Sequence, residues 1–112
     1  MLFRSRIGDS IFTWGARTYV MGIINLSPDS FSGDGCGTVD QALRQALRFA
    51  AEGADIIDVG GESTRPDAGP VAADEELKRV IPFIKELVGT INIPISIDTS
   101  KYEVAEIGRA HV

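Results

Sequence analysis

The chain has 112 residues, enough for one small domain, and its formal net charge is −5 at pH 7. Hydrophobic residues make up 44% and charged residues 24% of the chain, an ordinary balance for a folded protein that excludes general disorder. Because the balance is acidic and Lys and Arg are scattered, no basic footprint predicts nucleic acid or a membrane surface as a partner.

The same sequence suits a soluble protein in a reducing compartment. One cysteine, Cys36, allows no disulfide within the chain. The opening residues carry no signal-peptide pattern, and no stretch approaches the roughly 18 apolar residues of a membrane span. We therefore expect a cytoplasmic protein.

The predicted strands follow a short lead-in. Residues 4–18 are expected to form a hairpin or an extended segment with turns at Gly8-Asp9 and Gly15. Three short, β-branched runs then occur at residues 19–24, 56–59 and 93–97, and each is typical of a buried parallel strand. Pro94 has to lie at the start of its strand because proline cannot donate to a central ladder.

Helical patterns separate these runs. The first helix is predicted to begin at a capping box formed by Thr38 and Gln41 and to end at Gly53. Its apolar face repeats at helical spacing. That face consists of Leu43, Ala46, Leu47 and Ala50.

The second helix contains Pro82, where we expect a kink or an early break. A third helix should open at Ser100, with Glu103 completing a capping box. The apolar face of the second helix is predicted to consist of Leu77, Val80, Ile81, Ile84, Leu87 and Val88.

Strand and helix therefore alternate, as in βαβ units. This order predicts an α/β fold, either a (β/α) barrel or a doubly wound sheet, and both place ligands at the carboxyl ends of the strands. Polar residues follow each predicted strand. No G-x-G-x-x-G follows the first strand, which disfavours a dinucleotide site.

Three segments go beyond a generic α/β pattern: MGIINLSPDSFSGDG at 21–35, GADIIDVGGESTRP at 53–66 and ISIDTSK at 95–101. In this order and spacing they resemble the signatures of the dihydropteroate synthases. The resemblance implies a partial (β/α)8 TIM barrel, with the first three βα units after an N-terminal hairpin. It also implies a single pterin-binding domain over residues 1–112 that is truncated at its C-terminus.

The resemblance further implies a transferase of folate biosynthesis. Such an enzyme condenses dihydropterin pyrophosphate with p-aminobenzoate to give dihydropteroate. The implied cofactor is Mg²⁺, the implied partners are these small-molecule substrates, and a homodimer is implied for the full-length form. No side chain is expected to act as a covalent nucleophile.

Two site residues are implied by the first segment. The carboxamide oxygen of Asn25 is a hard, neutral donor that suits Mg²⁺, and the resemblance implies that Asn25 binds the metal that holds the pyrophosphate. The alternative is an Asn that closes a turn after the strand. Phe31 is implied as an apolar wall for the aromatic amine, or it packs beneath its own loop.

Three more site residues lie in the second segment. Arg65 can contact a phosphate or a carboxylate through two parallel hydrogen bonds. The resemblance implies that Thr64 and Arg65 contact the pyrophosphate and the p-aminobenzoate, and that Pro66 packs near the amine. The alternative for Arg65 is an ion pair with Glu62.

Two acids complete the set. Asp98 has two acceptor oxygens that match the donor pair on the amino-pyrimidine edge of a pterin, and the resemblance implies that it binds this edge. The alternative is a helix cap, a role that Thr99 or Ser100 can fill instead. Asp58, within a buried strand, either supports the pterin pocket or bonds to backbone or an Arg.

A complete barrel needs about 250 residues, so later strands and their site residues are absent from this sequence. We expect the chain alone to be inactive and marginally folded. One alternative function is a pterin-binding module that transfers methyl groups from tetrahydrofolate to a corrinoid protein. The other is a non-catalytic fragment.

Overall fold

The computed structural model describes residues 2–26, 38–61 and 72–111, with backbone alone at Thr38 and His111. Strands and helices alternate after an initial pair of strands. The strands are β1 (Arg4–Ile7), β2 (Ser10–Thr13), β3 (Met21–Asn25), β4 (Ile56–Gly60) and β5 (Ile95–Asp98), and the helices are α1 (Thr38–Ala51), α2 (Ala73–Val88) and α3 (Tyr102–His111).

The lead-in forms the predicted hairpin. Strands β1 and β2 pair antiparallel, and Ile7 lies opposite Ser10 across the two-residue turn Gly8-Asp9. Gly8 has a φ of +60°, a conformation that glycine adopts without the steric cost of a Cβ. The hairpin is therefore set by local turn chemistry, as its sequence indicates.

Strands β3, β4 and β5 form one parallel sheet in chain order, which confirms the predicted βαβ arrangement. Pro94 immediately precedes β5, and its carbonyl accepts a hydrogen bond from the Ile57 N–H at 3.0 Å. The predicted position of this proline at the start of its strand is confirmed. There its carbonyl oxygen takes part in the ladder, and its missing N–H is not needed.

The two faces of the sheet differ in what covers them. Ile24, Ile57 and Val59 point to one face and are fully buried in a core with residues of α1 and α2. Met21 and Ile23 point to the opposite face, where they are 49% and 65% exposed. In the described part of the chain, the helices therefore seal one face and leave the other open.

Helix α1 ends at Ala51, and Gly53 terminates it as predicted. The Gly53 N–H donates to the Ala50 carbonyl at 3.2 Å, and the Ala54 N–H donates to the Phe49 carbonyl at 2.9 Å. With Gly53 at a φ of +108°, this pair of bonds is a Schellman motif. The motif turns the chain directly into β4.

Helix α2 corrects two predictions. It runs without a break through Pro82, whose ring lies on the exposed side of the helix, so the early break was wrong. Its buried stripe is also rotated from the predicted face, because Val88 is 44% exposed while Phe83 is fully buried. The buried residues of α2 are Glu76, Val80, Phe83, Ile84 and Leu87.

Helix α3 begins at Tyr102, two residues after the predicted start at Ser100. The Ala105 N–H donates to the Lys101 carbonyl at 3.1 Å, which is the first bond of this helix. Across the described ranges, no helix has the length and apolar character needed to cross a bilayer.

Candidate functional site

Asn25, Gly60 and Asp98 lie side by side at the carboxyl edge of the parallel sheet. Gly60 is the register partner of Asn25 on one side and of Asp98 on the other. Since neighbouring strands are about 4.8 Å apart, the outer two residues are about 10 Å apart across the sheet. The predicted convergence of Asn25 and Asp98 at one end of the sheet is confirmed, and we call these three residues the terminal row.

Gly60 leaves the middle of the terminal row without a side chain. A Cβ at Gly60 would lie 3.4 Å from the Asp98 carbonyl oxygen and 3.7 Å from Oδ2 of its carboxylate. Gly60 therefore places no side chain between the amide of Asn25 and the carboxylate of Asp98, and we call this position in the row the gap. The gap is a place where a flat ligand can approach the backbone closely.

The Asp98 carboxylate is exposed, and within the described residues no hydrogen bond or ion pair engages it. The turn into α3 is instead organised by Thr99, whose Oγ1 accepts a hydrogen bond from the Lys101 N–H at 3.1 Å. Thr99, one of the two residues predicted to cap the helix in place of Asp98, therefore bonds to the residue before α3, which is a turn contact and not a cap of the helix itself. Both acceptor oxygens of Asp98 remain available to a ligand.

Asp58 lies one row below, on the same face of the sheet, between Ile23 and Ser96. Its Oδ1 accepts a hydrogen bond from the Ser96 hydroxyl on the neighbouring strand. This partner differs from the backbone group or Arg expected as the structural alternative. The bond gives this half-buried acid a partner for one of its two oxygens.

The open face combines polar groups at its rim with an apolar floor. Met21 and Ile23 lie below Asn25 on the same face of β3, because alternate residues of a strand share a face. A flat heteroaromatic ring has apolar faces and polar edges. This arrangement can hold such a ring, with the acids accepting hydrogen bonds from N–H groups at its edge.

Asn25 is also the residue considered for a metal. The described residues contain no group of three His, Cys, Asp or Glu side chains that could hold a metal ion. Mg²⁺ does not require such a group, since it commonly keeps several waters and binds one or two protein oxygens together with substrate phosphates. The donor chemistry of Asn25 fits that mode.

The other predicted contacts cannot be placed by this structure. Phe31, Thr64, Arg65 and Pro66 lie outside the described residues. Their roles stay predictions.

Residue Glu76 of α2 was missed by the sequence analysis. It is the one charged residue that is fully buried within the described ranges, and it bonds to Thr99 and Lys101 directly after β5. A signal was present, because Glu76 precedes the buried Val80 by four residues and the buried Phe83 by seven. That spacing places the glutamate on the apolar stripe.

A second ion pair lies at the opposite end of the sheet. Arg17 donates two hydrogen bonds to Asp55, at 2.7 and 3.2 Å, and the Val20 N–H donates to the same carboxylate at 2.8 Å. The hydrogen bonds from Arg17 and then from Val20 lower the pKa of Asp55 below its usual 3.8. This pair joins the segment before β3 to the start of β4.

Comparison with known proteins places this geometry in context. Residues 21–111 match the family described as "Pterin binding enzyme". The chain is 52% identical over 100 residues to a dihydropteroate synthase of Synechocystis, covering 88% of this chain and 35% of that protein. It is 48% identical over 98 residues to a Bacillus subtilis dihydropteroate synthase, covering 87% of this chain and 34% of that protein.

A solved structure gives the same result. The chain superposes on the Xanthomonas albilineans dihydropteroate synthase with 4-aminobenzoic acid, with a TM-score of 0.89 and 47% identity over 99% of this chain and 41% of that one. The predicted fold class, part of a (β/α)8 barrel, is confirmed. The chain spans about a third of the length of these two dihydropteroate synthases.

Proposed function

Because this chain belongs to the family of pterin binding enzymes, we propose that it is the N-terminal part of a dihydropteroate synthase that carries one side of the pterin site. The terminal row is the observation that carries this proposal. It brings an amide and an unengaged carboxylate to one edge of the sheet, on the face that the helices leave open. The similarity to several dihydropteroate synthases favours this reading over a methyltransfer module.

The carboxylate of Asp98 supplies the pterin contact in this proposal. Its two oxygens accept hydrogen bonds from the paired N–H donors of an amino-pyrimidine edge, which fixes the orientation of the ring. Asp58, held by the Ser96 hydroxyl, lies one row deeper on the same face and supports the pocket from below. The ring would then lie over the gap at Gly60.

The reaction needs positioning and charge stabilisation more than a reactive side chain. The amine nitrogen of p-aminobenzoate bonds to the methylene carbon of dihydropterin pyrophosphate, the bond from that carbon to the pyrophosphate oxygen breaks, and the amine loses a proton. Holding two flat substrates in line converts this into an intramolecular-like step. Asp98 would hold the pterin half of that arrangement.

The departing pyrophosphate needs positive charge near it. Asn25 would contribute its carboxamide oxygen to a bound Mg²⁺, and this ion would supply that charge next to the phosphate oxygens. Thr64 and Arg65 are proposed for the same pyrophosphate and for p-aminobenzoate, with Pro66 and Phe31 against the amine. The described geometry supports the Asn25 part by placing its strand end beside Gly60.

The test uses a chimera in which this chain replaces the segment of the Bacillus subtilis dihydropteroate synthase with which it aligns. Asp98→Asn swaps one acceptor oxygen for a donor that faces the ligand's own donors. We expect the affinity for 7,8-dihydropteroate, measured by isothermal titration calorimetry, to fall on the order of 100-fold or more.

Asp9→Asn is the matched control, because it removes the same charge from the exposed hairpin turn. It should leave the affinity for 7,8-dihydropteroate unchanged. A chimera whose Asp98→Asn variant binds 7,8-dihydropteroate as tightly as the unaltered chimera does would contradict the proposed role of the terminal row.

A further inference from the structure

A buried carboxylate next to the terminal row has a role that the proposed reaction does not explain. The Glu76 side chain is 1% exposed, although its neighbours Asp74 and Glu75 in the first turn of α2 face solvent. Removing a carboxylate from water is costly unless each oxygen gains a partner. The partners of Glu76 therefore indicate why its carboxylate is buried.

Both oxygens of Glu76 are engaged by the segment that follows β5. Oε1 accepts a hydrogen bond from Lys101 Nζ at 2.8 Å, and Oε2 accepts one from the Thr99 hydroxyl. The Thr99 oxygen accepts in turn from the Lys101 N–H at 3.1 Å. Glu76 thus holds both ends of the turn that begins directly after Asp98.

The same turn of α2 also contacts the end of β4. A Cβ at Gly61 would lie only 2.9 Å from Cγ of Glu76 and 2.8 Å from Cγ2 of Val80, so helix and strand end pack without room for a side chain. Arg79, one helical turn later, donates from Nη1 to the Gly61 carbonyl at 2.9 Å. Helix α2 therefore fixes the residue directly after Gly60.

We propose that Glu76, Thr99 and Lys101 form a positioning cluster that sets the relative placement of Gly60 and Asp98, and with it the affinity of the site for a pterin. The inference rests on the proposed function. None of the three residues belongs to the terminal row, so they act on the ligand through the backbone at the ends of β4 and β5.

Stability alone is a weak explanation for this cluster. Replacing a buried ion pair with apolar side chains of similar volume is often neutral or stabilising, so burial of the Glu76–Lys101 pair is not needed to build a core. Directional hydrogen bonds constrain the orientation of the groups they join, which an apolar contact does not. They fix the angle at which the chain leaves β5, and this angle determines where the Asp98 carboxylate points.

The first test is Glu76→Gln in the Bacillus subtilis chimera. The amide keeps the size of the side chain but removes the negative charge that Glu76 presents to Lys101. Because a misdirected Asp98 carboxylate loses part of its charge-assisted hydrogen bonding to the ligand, we expect the affinity for 7,8-dihydropteroate to fall about 10- to 100-fold. Asp74→Asn is the matched control, since Asp74 lies in the same turn of α2 and is exposed, and it should leave the affinity unchanged.

A second variant separates positioning from folding. Glu76→Leu combined with Lys101→Met removes both charges and leaves neither one buried alone, so the melting temperature of the chimera should be retained. The affinity for 7,8-dihydropteroate should still fall, because Thr99 has lost its acceptor. If this double variant binds as tightly as the unaltered chimera, the cluster is structural only and the proposal is overturned.

A third measurement does not depend on ligand binding. In the ligand-free chimera, Glu76→Gln should speed amide hydrogen exchange at Gly61 and Lys101 and leave Asp55, at the other end of the sheet, unchanged. Unchanged exchange at Gly61 and Lys101 would overturn the positioning role. If instead the unaltered chimera does not bind 7,8-dihydropteroate, it is the proposed function that fails.

Discussion

The two ends of the parallel sheet each carry an ion pair of nearly the same length, in very different surroundings. Arg17 and Asp55 approach to 2.7 Å at the amino ends of the strands, with side chains 56% and 16% exposed. Lys101 and Glu76 approach to 2.8 Å at the carboxyl ends, with side chains 20% and 1% exposed. The N–O distance is therefore nearly the same at both ends, and the two ion pairs differ in how far their side chains are exposed to solvent.

The amino end is a closed structural unit. The Tyr19 ring packs against Phe12 and Trp14, and the Arg17 guanidinium lies 4.0 Å from the centre of the Tyr19 ring. Within the described residues, the groups that donate to the Asp55 carboxylate belong to the segment just before β3. This end fixes the hairpin against the sheet.

The carboxyl end is built differently, because its backbone is held from behind while one of its acids is left unengaged. Glu76 fixes the backbone from behind, while the Asp98 carboxylate in front has no partner within the described residues. Rigid support beneath an unsatisfied acceptor is what a binding site requires. Under the two proposals made above, the pair of charges at the amino end serves stability and the pair at the carboxyl end serves ligand placement.

The largest effect in this comparison is expected at Gly61, where α2 meets the end of β4. Gly61→Ala places a Cβ within 3.0 Å of two buried side chains, which should lower the free energy of unfolding of the chimera by about 1–3 kcal/mol. Urea denaturation measures the change. Gly89→Ala is the control, since its Cβ would lie 3.9 Å from the nearest atom outside its own neighbours. An equal cost at both positions would contradict close packing behind the terminal row.

A smaller effect, on binding and not on folding, is expected at Gly60. The Cβ of Gly60→Ala meets its nearest neighbour at 3.4 Å, so the free energy of unfolding should change little. The new methyl group fills the gap between Asn25 and Asp98 and should weaken 7,8-dihydropteroate binding about tenfold. Calorimetry and urea denaturation of the same chimera separate the two effects. Unchanged binding would indicate that the ligand does not lie over the terminal row.

The smallest effect is expected at the amino end. Asp55→Asn removes the counter-charge of Arg17 and should lower the melting temperature of the chimera by about 1–3 °C at pH 7, with no change in 7,8-dihydropteroate binding. Asp9→Asn should change neither quantity. A loss of 7,8-dihydropteroate binding in Asp55→Asn would contradict the proposal that the amino end serves stability alone.

The pH dependence of that small effect follows from the pKa of Asp55. Because its pKa in the folded state is lowered from 3.8, the carboxylate stabilises the fold above pH 3.8. This contribution disappears as the pH falls through the lower folded-state pKa. The difference in melting temperature between the unaltered chimera and Asp55→Asn should therefore be full at pH 7 and shrink below pH 3.8. It should also shrink in high salt, which screens exposed charges.

The sequence was sufficient for features that depend on local chemistry. Gly8-Asp9 and Gly53 indicated turns that the structure contains, and the β-branched runs indicated the three parallel strands. From the rule that ligands meet the carboxyl ends of strands, Asn25 and Asp98 were expected at one edge, and they lie there. Each of these features is determined by a few neighbouring residues.

Features that depend on packing between distant elements were not predicted. Which of the acids at the start of α2 turns inward depends on the rotation of the helix against the sheet, and the predicted face was rotated away from Glu76. The partner of Asp58 is a hydroxyl that comes 38 residues later and becomes a neighbour only through strand register. The break expected at Pro82 was wrong because tertiary packing of the buried stripe outweighs the loss of one helical hydrogen bond.

The most direct test of the central claim asks where a pterin compound meets this part of the protein. Titrating 7,8-dihydropteroate into the isotopically labelled chimera and following backbone amide shifts by NMR gives the answer residue by residue. We expect the largest shifts at Asn25, Gly60 and Asp98, with the hairpin at residues 4–13 unaffected. Shifts concentrated in the hairpin or around Asp55, with none in the terminal row, would contradict the account.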